Sequence, residues 1–461
     1  MGAHDTTAAV VLAAGRGTRF RSALPKVLHR VAGRTLLGHV LAAAAGSGAG
    51  RILVVVGHGA AEVEAEVAAW APRLGVPVAT VLQADQRGTG DAVDVALAAL
   101  PADVDRVLVV PGDTPLLTPA TLAGLLDAGA GRALACLTAV LDDPTGYGRV
   151  LRDPAGGLRG MVEDRDATAE QRAVAEINAG MYVFDRAALA PLVAALGAEN
   201  AQGERYLTDV VAPLAAAGDA VAHVADADEV AGVNDRAQLA AAGTHLHRRH
   251  LAALMRAGVG VVDPAHTYVD VDVDVAADAL LLPGTILEGA TRVGAGAVVG
   301  PNSHLTDCEV GEDAHVHSTR ADGARIGAGV EVGPFAHLRP GTVLEAGARV
   351  GAFVQTKNSR IGAGAKVPHL AYVGDADVGA GANVACGVVT VNYDGRTKHR
   401  TVVGEGAFVG CGTMLVAPVE VGAGAYVAAG STITDDVPPE ALAIGRARQV
   451  VKEGRARGRL G

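Results

Sequence analysis

The chain has 461 residues, too many for a single hydrophobic core, so two or three domains are expected. Half the residues are hydrophobic but only 3% are aromatic, and 61 are glycine, which favours tightly wound backbone over cores built on large rings. A formal net charge of −11 argues against a nucleic-acid-binding surface, and no apolar window of about eighteen residues or more marks a membrane helix.

Met1–Thr6 formally matches a myristoylation pattern. An apolar strand begins almost at once and no basic segment precedes it, so neither lipidation nor a signal peptide is expected. Residues 1 to about 230 then alternate strand-length apolar runs with helical stretches. Ala8–Ala13, Ile52–Val56, Val76–Leu82 and Val107–Val110 read as strands, and Ala60–Trp70 and Asp91–Leu100 as helices. This is the βαβ pattern of a doubly wound, Rossmann-like, mostly parallel sheet, which binds ligands at the carboxyl ends of its strands. The first strand runs into Leu12-Ala13-Ala14-Gly15-Arg16-Gly17-Thr18-Arg19-Phe20, with Pro25-Lys26 following. Such a turn lets backbone N–H groups approach phosphate oxygens. It lacks the Gly-Lys-Ser/Thr of a Walker A loop and the third glycine of a dinucleotide fingerprint. Arg19 and Lys26 are either cations that hold phosphates or solvated surface charges. Asp113 stands just past Val107–Val110, where a sheet presents ligands, or is a turn aspartate before Pro115. Arg236–Ala257 reads as a linking helix, with Leu239, Leu246 and Leu254 near one face. Asp235 and Gln238 would form a capping box at its start, and Gly258 marks its end.

From about Val293 to Ile433 the chain repeats every six residues: Val293-Gly294, Val299-Gly300, Val310-Gly311, Ile326-Gly327, Val332-Gly333, Val350-Gly351, Ile361-Gly362 and onward. That period fits neither a helix nor an isolated alternating strand. It fits a parallel β-helix in which three hexads make one triangular coil. The aliphatic residue is expected to point inward and the following glycine to take a tight corner at positive φ. The repeat is interrupted by the polar, cationic stretch Asn392–Arg400, and a loop ejected from a solenoid more often serves function than structure. Cys136, Cys308, Cys386 and Cys411 show no Cys-x-x-Cys spacing, which argues against a zinc ribbon or disulfide framework and fits a reducing cytoplasm. The basic stretch Arg446–Arg459 is either a solvated tail or a clamp for a polyphosphate ligand.

Leu12–Phe20 with Leu24-Pro25-Lys26-Val27-Leu28 resembles the signature of sugar-1-phosphate nucleotidyltransferases. Gln83 with Gly88-Thr89-Gly90, Pro111-Gly112-Asp113, Gly146-Tyr147-Gly148-Arg149, Glu163, Glu176–Gly180 and Val233-Asn234-Asp235 follow in that family's order. The β-helix adds Leu338–Gly341, Lys357, His369–Asp375 and Asn392–Gly395. From about residue 7 to 450 the chain is similar to the bifunctional GlmU family, in which glucosamine-1-phosphate N-acetyltransferase and N-acetylglucosamine-1-phosphate uridyltransferase are joined.

The resemblance implies an uridyltransferase domain over 1–234, a linker helix over 235–258 and a left-handed hexapeptide β-helix with its tail over 259–461. It implies Mg²⁺ held by Asp113 and Asn234, although Asn234 could instead cap the helix beside Asp235. Lys26 and Arg19 would hold phosphates, with Leu12, Ala13, Ala14, Gly15, Gly88, Pro111 and Gly112 around the nucleotide. Gln83 and Thr89 would contact uracil, and Gly148, Glu163, Asn178, Tyr206 and Thr208 would form the sugar pocket. In acetyl transfer His369 would be the base, Arg339, Lys357, Tyr372 and Asn383 would bind the sugar phosphate, and Asn392 and Tyr393 would orient base and substrate. Cys386, Asn392, Tyr393, Cys411, Ala429 and Arg446 would contact acetyl-CoA. Arg339 and Lys357 are one coil apart and stack on one wall; His369, two hexads on, falls on another. A homotrimer would then close the site. The expected partners are glucosamine-1-phosphate, acetyl-CoA and UTP, in the cytoplasm, without nucleic acid or membrane insertion. Two positions depart from the family: Pro111 stands for its usual Tyr, and Cys411 for its usual Ser, either as a poorer donor to acetyl-CoA or as a plain corner residue. Competing readings are a single-activity nucleotidyltransferase whose β-helix only oligomerises, and a non-catalytic scaffold. His369 with the Asn392–Arg400 loop opposes the first, and Asp113, Lys26 and Asn234 together oppose the second.

Overall fold

The computed structural model describes residues 6–456, so the opening of the myristoylation pattern (1–5) and the end of the basic tail (457–461) lie outside the described residues. The chain forms two compact units, residues 1–246 and 247–461.

The N-terminal unit runs β1 (Thr7–Leu12), a small hairpin β2 (Arg30–Val31) and β3 (Arg34–Thr35), α1 (Leu36–Gly46), β4 (Arg51–Val56), α2 (Ala60–Leu74), β5 (Val78–Leu82) and α3 (Thr89–Ala99). It continues with β6 (Arg106–Pro111), α4 (Pro119–Ala128), β7 (Leu134–Val140), β8 (Arg149–Arg152), β9 (Leu158–Val162), α5 (Ala169–Arg172), β10 (Glu176–Asp185), α6 (Arg186–Ala194), α7 (Val211–Ala216) and β11 (Ala220–Val224). Seven strands of the nine-stranded sheet follow the order β11-β7-β10-β6-β1-β4-β5, parallel except for β10, which runs antiparallel to both neighbours; β8 and β9 join off this path by antiparallel pairing of β8 with β10 and β9 with β8. The apolar runs are unbroken because both faces are covered. Val54 and Val56 point into the layer of α1, α2 and α4, whereas Leu53 and Val55 point into that of α3, α6 and α7. The expected strands and helices are all present, with ends shifted by at most four residues.

Helix α8 (Arg236–Arg256) carries the chain across the division between the units. Asp235 accepts from the N–H of Gln238 at 2.8 Å, as a cap should, but the Gln238 side chain accepts from Asn234 N–H (2.7 Å) rather than from Asp235. The return bond of the expected capping box is thus displaced by one residue.

The C-terminal unit is a parallel β-helix of three sheets with eleven, ten and nine short strands, from Gly260–Val261 to Leu442–Ala443. In most strands an aliphatic residue points inward, with Thr356 and Thr390 as buried exceptions, and Leu281, Val299, Val316, Val332, Val350 and Val367 form one buried column. Paired residues lie 16 to 18 apart, as Val316 with Val332 and Val332 with Val350, except at the first pair, Gly260 with Leu280, and across the loop, where Val384 pairs with Val409. At most repeats the glycine after the aliphatic residue has a different reason from the one expected, although Gly300 (+110°) and Gly333 (+99°) do take the expected positive φ. A Cβ on Gly311 would lie 2.7 Å from Ala328 N on the next coil, and its φ is not positive; the positive φ falls later, as at Gly329 (+63°). Close stacking of coils, not the corner, selects glycine there.

Candidate active sites

In the N-terminal unit, the carboxyl ends of β1, β5 and β6 open into a cleft of about 790 Å³. It is lined by Leu12, Ala13, Ala14, Gly15, Lys26, Gln83, Gly88, Thr89, Pro111, Asp113, Glu163, Asn178 and Thr208, all singled out in the sequence. Lys26 forms an ion pair with Asp113 and donates to Asn234 Oδ1 at 3.2 Å; Arg19 donates to the same oxygen at 2.7 Å. Four residues spread over 215 positions of chain thus meet at one spot. The neighbouring turn packs against β1: a Cβ on Gly112 would lie 2.9 Å from Leu12 O, too close for any larger residue without a shift.

At the other end of the cleft, Glu163 accepts from the Thr208 hydroxyl at 3.0 Å. Burial pushes its carboxyl above the ordinary value, helped by Asp209 and Asp166 nearby and opposed by the Thr208 bond. Asn178 donates to Tyr182 Oη at 2.6 Å, and its backbone N–H is held by Gly148 O at 2.8 Å. Gly148 and Tyr206 are buried beside the cleft rather than lining it, and Arg19, Gly112 and Asn234 stand next to it. Arg16, Gln86 and Glu204 also line the cleft and were not singled out in sequence. Arg16 lies inside the glycine motif and donates to Gln86 (3.3 Å), so proximity to that motif was the available signal; Glu204 offered none.

In the C-terminal unit, Leu338 pairs with Thr356, which places Arg339 and Lys357 in the next register on successive coils. Lys398, from the ejected loop, lies against Lys357 and holds its ammonium below the ordinary value, with Arg339 adding to the effect. Lys398 was not singled out from its loop by the sequence. Asp375 is buried and accepts from Asn358 Nδ2 (2.7 Å) and from Asn392 Nδ2. Burial pushes its carboxyl up, but these bonds and the charges of Lys357 and Lys398 win and hold it below the usual range. The Asn392 amide also reaches Tyr372 Oη at 3.4 Å. Tyr393 turns away, its hydroxyl donating to Gly395 O at 2.8 Å, while Asp394 accepts from Arg396 and Thr397 N–H to close the loop.

His369 ends a strand of a different sheet from Arg339 and Lys357, paired with Ala352, and is exposed. No hydrogen bond joins its ring to Asn392 or Tyr372 among the described residues. Asn383 lies on the same sheet as His369, paired with Phe408. Cys386 O accepts from Gly412 N–H (2.7 Å) and Cys411 O from Gly430 N–H (2.8 Å), so Cys386, Cys411 and Ala429 occupy one column on successive coils. Cys411, Ala429 and Arg446 are exposed. Among the described residues no helix is long and apolar enough to cross a membrane.

A glycine-bearing loop at the end of β1, sharing a cleft with a Lys–Asp–Asn cluster, defines a nucleotidyltransferase unit, and the hexapeptide prism defines a transferase β-helix. Residues 9–212 match the MobA-like NTP transferase domain, and residues 400–435 match the bacterial transferase hexapeptide model of six repeats. The bifunctional protein GlmU of Thermobifida fusca is 53% identical, over 98% of this chain and 95% of its own length. Those of Kineococcus radiotolerans (52%; 97% of this chain, 91% of its own) and Mycobacterium marinum (50%; 95% and 90%) are similarly close. The chain belongs to the GlmU family: it is a bifunctional transferase, a nucleotidyltransferase followed by a left-handed β-helix acetyltransferase.

Proposed function

We propose that the chain makes UDP-N-acetylglucosamine in two steps, acetylating glucosamine-1-phosphate from acetyl-CoA and then transferring UMP from UTP to the product. The observation that carries the second step is the convergence of Lys26, Arg19, Asp113 and Asn234 beside the glycine loop. In that step a phosphate oxygen of the sugar attacks the α-phosphorus of UTP, the bond to the bridging oxygen breaks, and pyrophosphate leaves. Such transfer is governed by positioning and charge neutralisation. Asp113 and Asn234 turn oxygens toward one ammonium, Lys26 Nζ, so two hard donors converge, as Mg²⁺ requires. When bound there, the ion neutralises phosphate charge. Lys26 and Arg19 hold phosphate oxygens; Leu12–Gly15, Gly88, Pro111 and Gly112 shape the nucleotide's bed; Gln83 and Thr89 face the base. Glu163, Asn178 and Thr208, backed by Gly148 and Tyr206, receive the sugar.

In the acetyl step the glucosamine amine attacks the thioester carbonyl, His369 takes the amine proton, the C–S bond breaks, and CoA leaves as its thiol. Arg339 and Lys357, with Lys398, form the cationic corner for the sugar phosphate. Tyr372, Asn383, Asn392 and Tyr393 position sugar and base, and Cys386, Cys411, Ala429 and Arg446 follow the acetyl-CoA path. The working form is a cytoplasmic homotrimer. An exposed apolar ladder favours it: Phe335, Phe353 and Leu370, at 61%, 59% and 59% exposure, stand on successive coils next to His369, the two rings 5.3 Å apart.

One assay tests both steps: glucosamine-1-phosphate, acetyl-CoA, UTP and Mg²⁺, with free CoA and pyrophosphate scored separately. Both should appear, and pyrophosphate should depend on acetyl-CoA. Pyrophosphate without CoA would reduce the β-helix to an oligomerisation device. For the trimer, His369→Ala chains co-assembled with Asn392→Ala chains should recover acetyl transfer if neighbours share the site; fully active monomers would refute sharing.

A further inference from the structure

We propose that Asp91 is a positioning residue that sets base specificity in uridylyl transfer, by fixing which end of the Gln83 amide faces the nucleotide. The proposal rests on the reading of the N-terminal cleft as the UTP site.

Gln83 follows β5 and lines the cleft while only 3% exposed. Its Nε2 donates to Gly88 O at 3.2 Å and to Asp91 Oδ2 at 2.9 Å. A primary amide has two N–H donors, and here both are taken. The group left for a ligand is the carbonyl Oε1, an acceptor. Asp91, in the first turn of α3, is 2% exposed, and its other oxygen accepts from Arg87 (2.9 Å) and Arg205 (3.3 Å). Arg205 is anchored in turn by Asp94 (3.0 Å), Val193 O (2.6 Å) and Leu196 O (3.3 Å). A carboxylate offers no donor, so turning the Gln83 amide over would set oxygen against oxygen in a dry site.

The chain of contacts Arg205–Asp91–Gln83 therefore presents an acceptor to the base. Uracil carries a hydrogen on N3 and satisfies it. Cytosine has a lone pair there and leaves both groups unpaired, the kind of mismatch that binding sites reject strongly. Asp91 does not touch the reacting atoms; it acts through Gln83.

The test compares UTP with CTP as donors to N-acetylglucosamine-1-phosphate, by pyrophosphate release. The wild-type chain should prefer UTP by at least about tenfold, the scale of one buried hydrogen bond. In Asp91→Asn, Arg87 and Arg205 claim the new amide oxygen and its NH₂ faces Gln83; this closer contact (2.9 Å) outweighs the longer one to Gly88 O (3.2 Å), and the Gln83 amide turns over to present a donor. The UTP-to-CTP ratio of kcat/KM should fall about tenfold or more, with acetyl transfer unchanged. The exchanged pair Gln83→Glu with Asp91→Asn moves the carboxylate to position 83, where one oxygen accepts from the new amide and the other faces the base as an acceptor, so the preference for UTP should recover. Its behaviour decides the matter if the single variant does not fold. A purely structural Asp91 would lower both nucleotides alike. An unchanged ratio in folded Asp91→Asn, an exchanged pair without restored preference, or a wild-type chain indifferent to the base would overturn the proposal. A wild-type chain that acetylates but releases no pyrophosphate from UTP would overturn the reading of the cleft instead.

Discussion

Removing Asp113 should separate the two activities. Lys26 and Asp113 are 14% and 18% exposed, and Lys26 Nζ has one further partner, Asn234 Oδ1 at 3.2 Å. Asp113→Ala leaves a mostly buried ammonium with a single neutral acceptor. Loss of a hydrogen bond to a charged group costs about 1.5–3 kcal/mol, and a unit of this size loses about 2–4 °C in Tm per kcal/mol, so the N-terminal unit should melt about 3–12 °C lower. It should remain folded at 25 °C. The chemistry suffers more: losing a charged ligand that helps neutralise phosphate in the transition state removes about 4 kcal/mol, or about 10³-fold in rate. The assay is pyrophosphate release from UTP and N-acetylglucosamine-1-phosphate, run beside CoA release from acetyl-CoA and glucosamine-1-phosphate. The first should fall by about 10³-fold and the second stay within about twofold. Retained pyrophosphate release, or loss of both activities in a folded protein, would refute the reasoning.

His369→Ala should lower acetyl transfer about 10²–10⁴-fold, the usual contribution of a general base, and spare uridylyl transfer. Near-normal acetylation would mark His369 as an exposed corner residue. Cys411→Ser should raise acetyl transfer a few-fold at most, since one neutral hydrogen bond is worth about 0.5–1.5 kcal/mol. No change, together with unaffected acetylation after confirmed thiol labelling, would remove Cys411 from the acetyl-CoA path. Glu163 carries a pH signature. Its folded-state carboxyl is raised above 4.5, so the folded chain binds more protons and stability declines as pH rises from about 4.5 through the raised value. Glu163→Gln should flatten that decline in Tm and weaken sugar binding; an unchanged slope would place the carboxyl in solvent.

The prism was legible because Val310-Gly311 or Ile361-Gly362 encodes two physical demands at once, an inward aliphatic residue and the close approach of the next coil. The earlier coils were harder to see. At Leu281-Leu282 and Leu287-Glu288 the inward residue is present but the glycine is not, so the visible repeat starts at Val293 although paired strands begin at Gly260. The sheet was legible from its apolar runs, since both faces are dry. Within the clefts, motif residues close in sequence to a strand end could be found. Lys398 could not, because its approach to Lys357 depends on how the ejected loop folds back, and that is fixed by Asp394 gathering the N–H groups of Arg396 and Thr397. Asp91 was hidden for a related reason: its place under Gln83 follows from helix α3 starting at Thr89, not from any motif spacing.

The central claim is that two separate sites on one chain perform consecutive steps. It is tested most directly by mixing folded Asp113→Ala and His369→Ala proteins with glucosamine-1-phosphate, acetyl-CoA, UTP and Mg²⁺. Each variant alone should form at most traces of UDP-N-acetylglucosamine. The mixture should form it readily, because the acetylated intermediate made by the first is released and used by the second. A mixture that stays inert while each variant keeps its own remaining half-reaction would contradict the account.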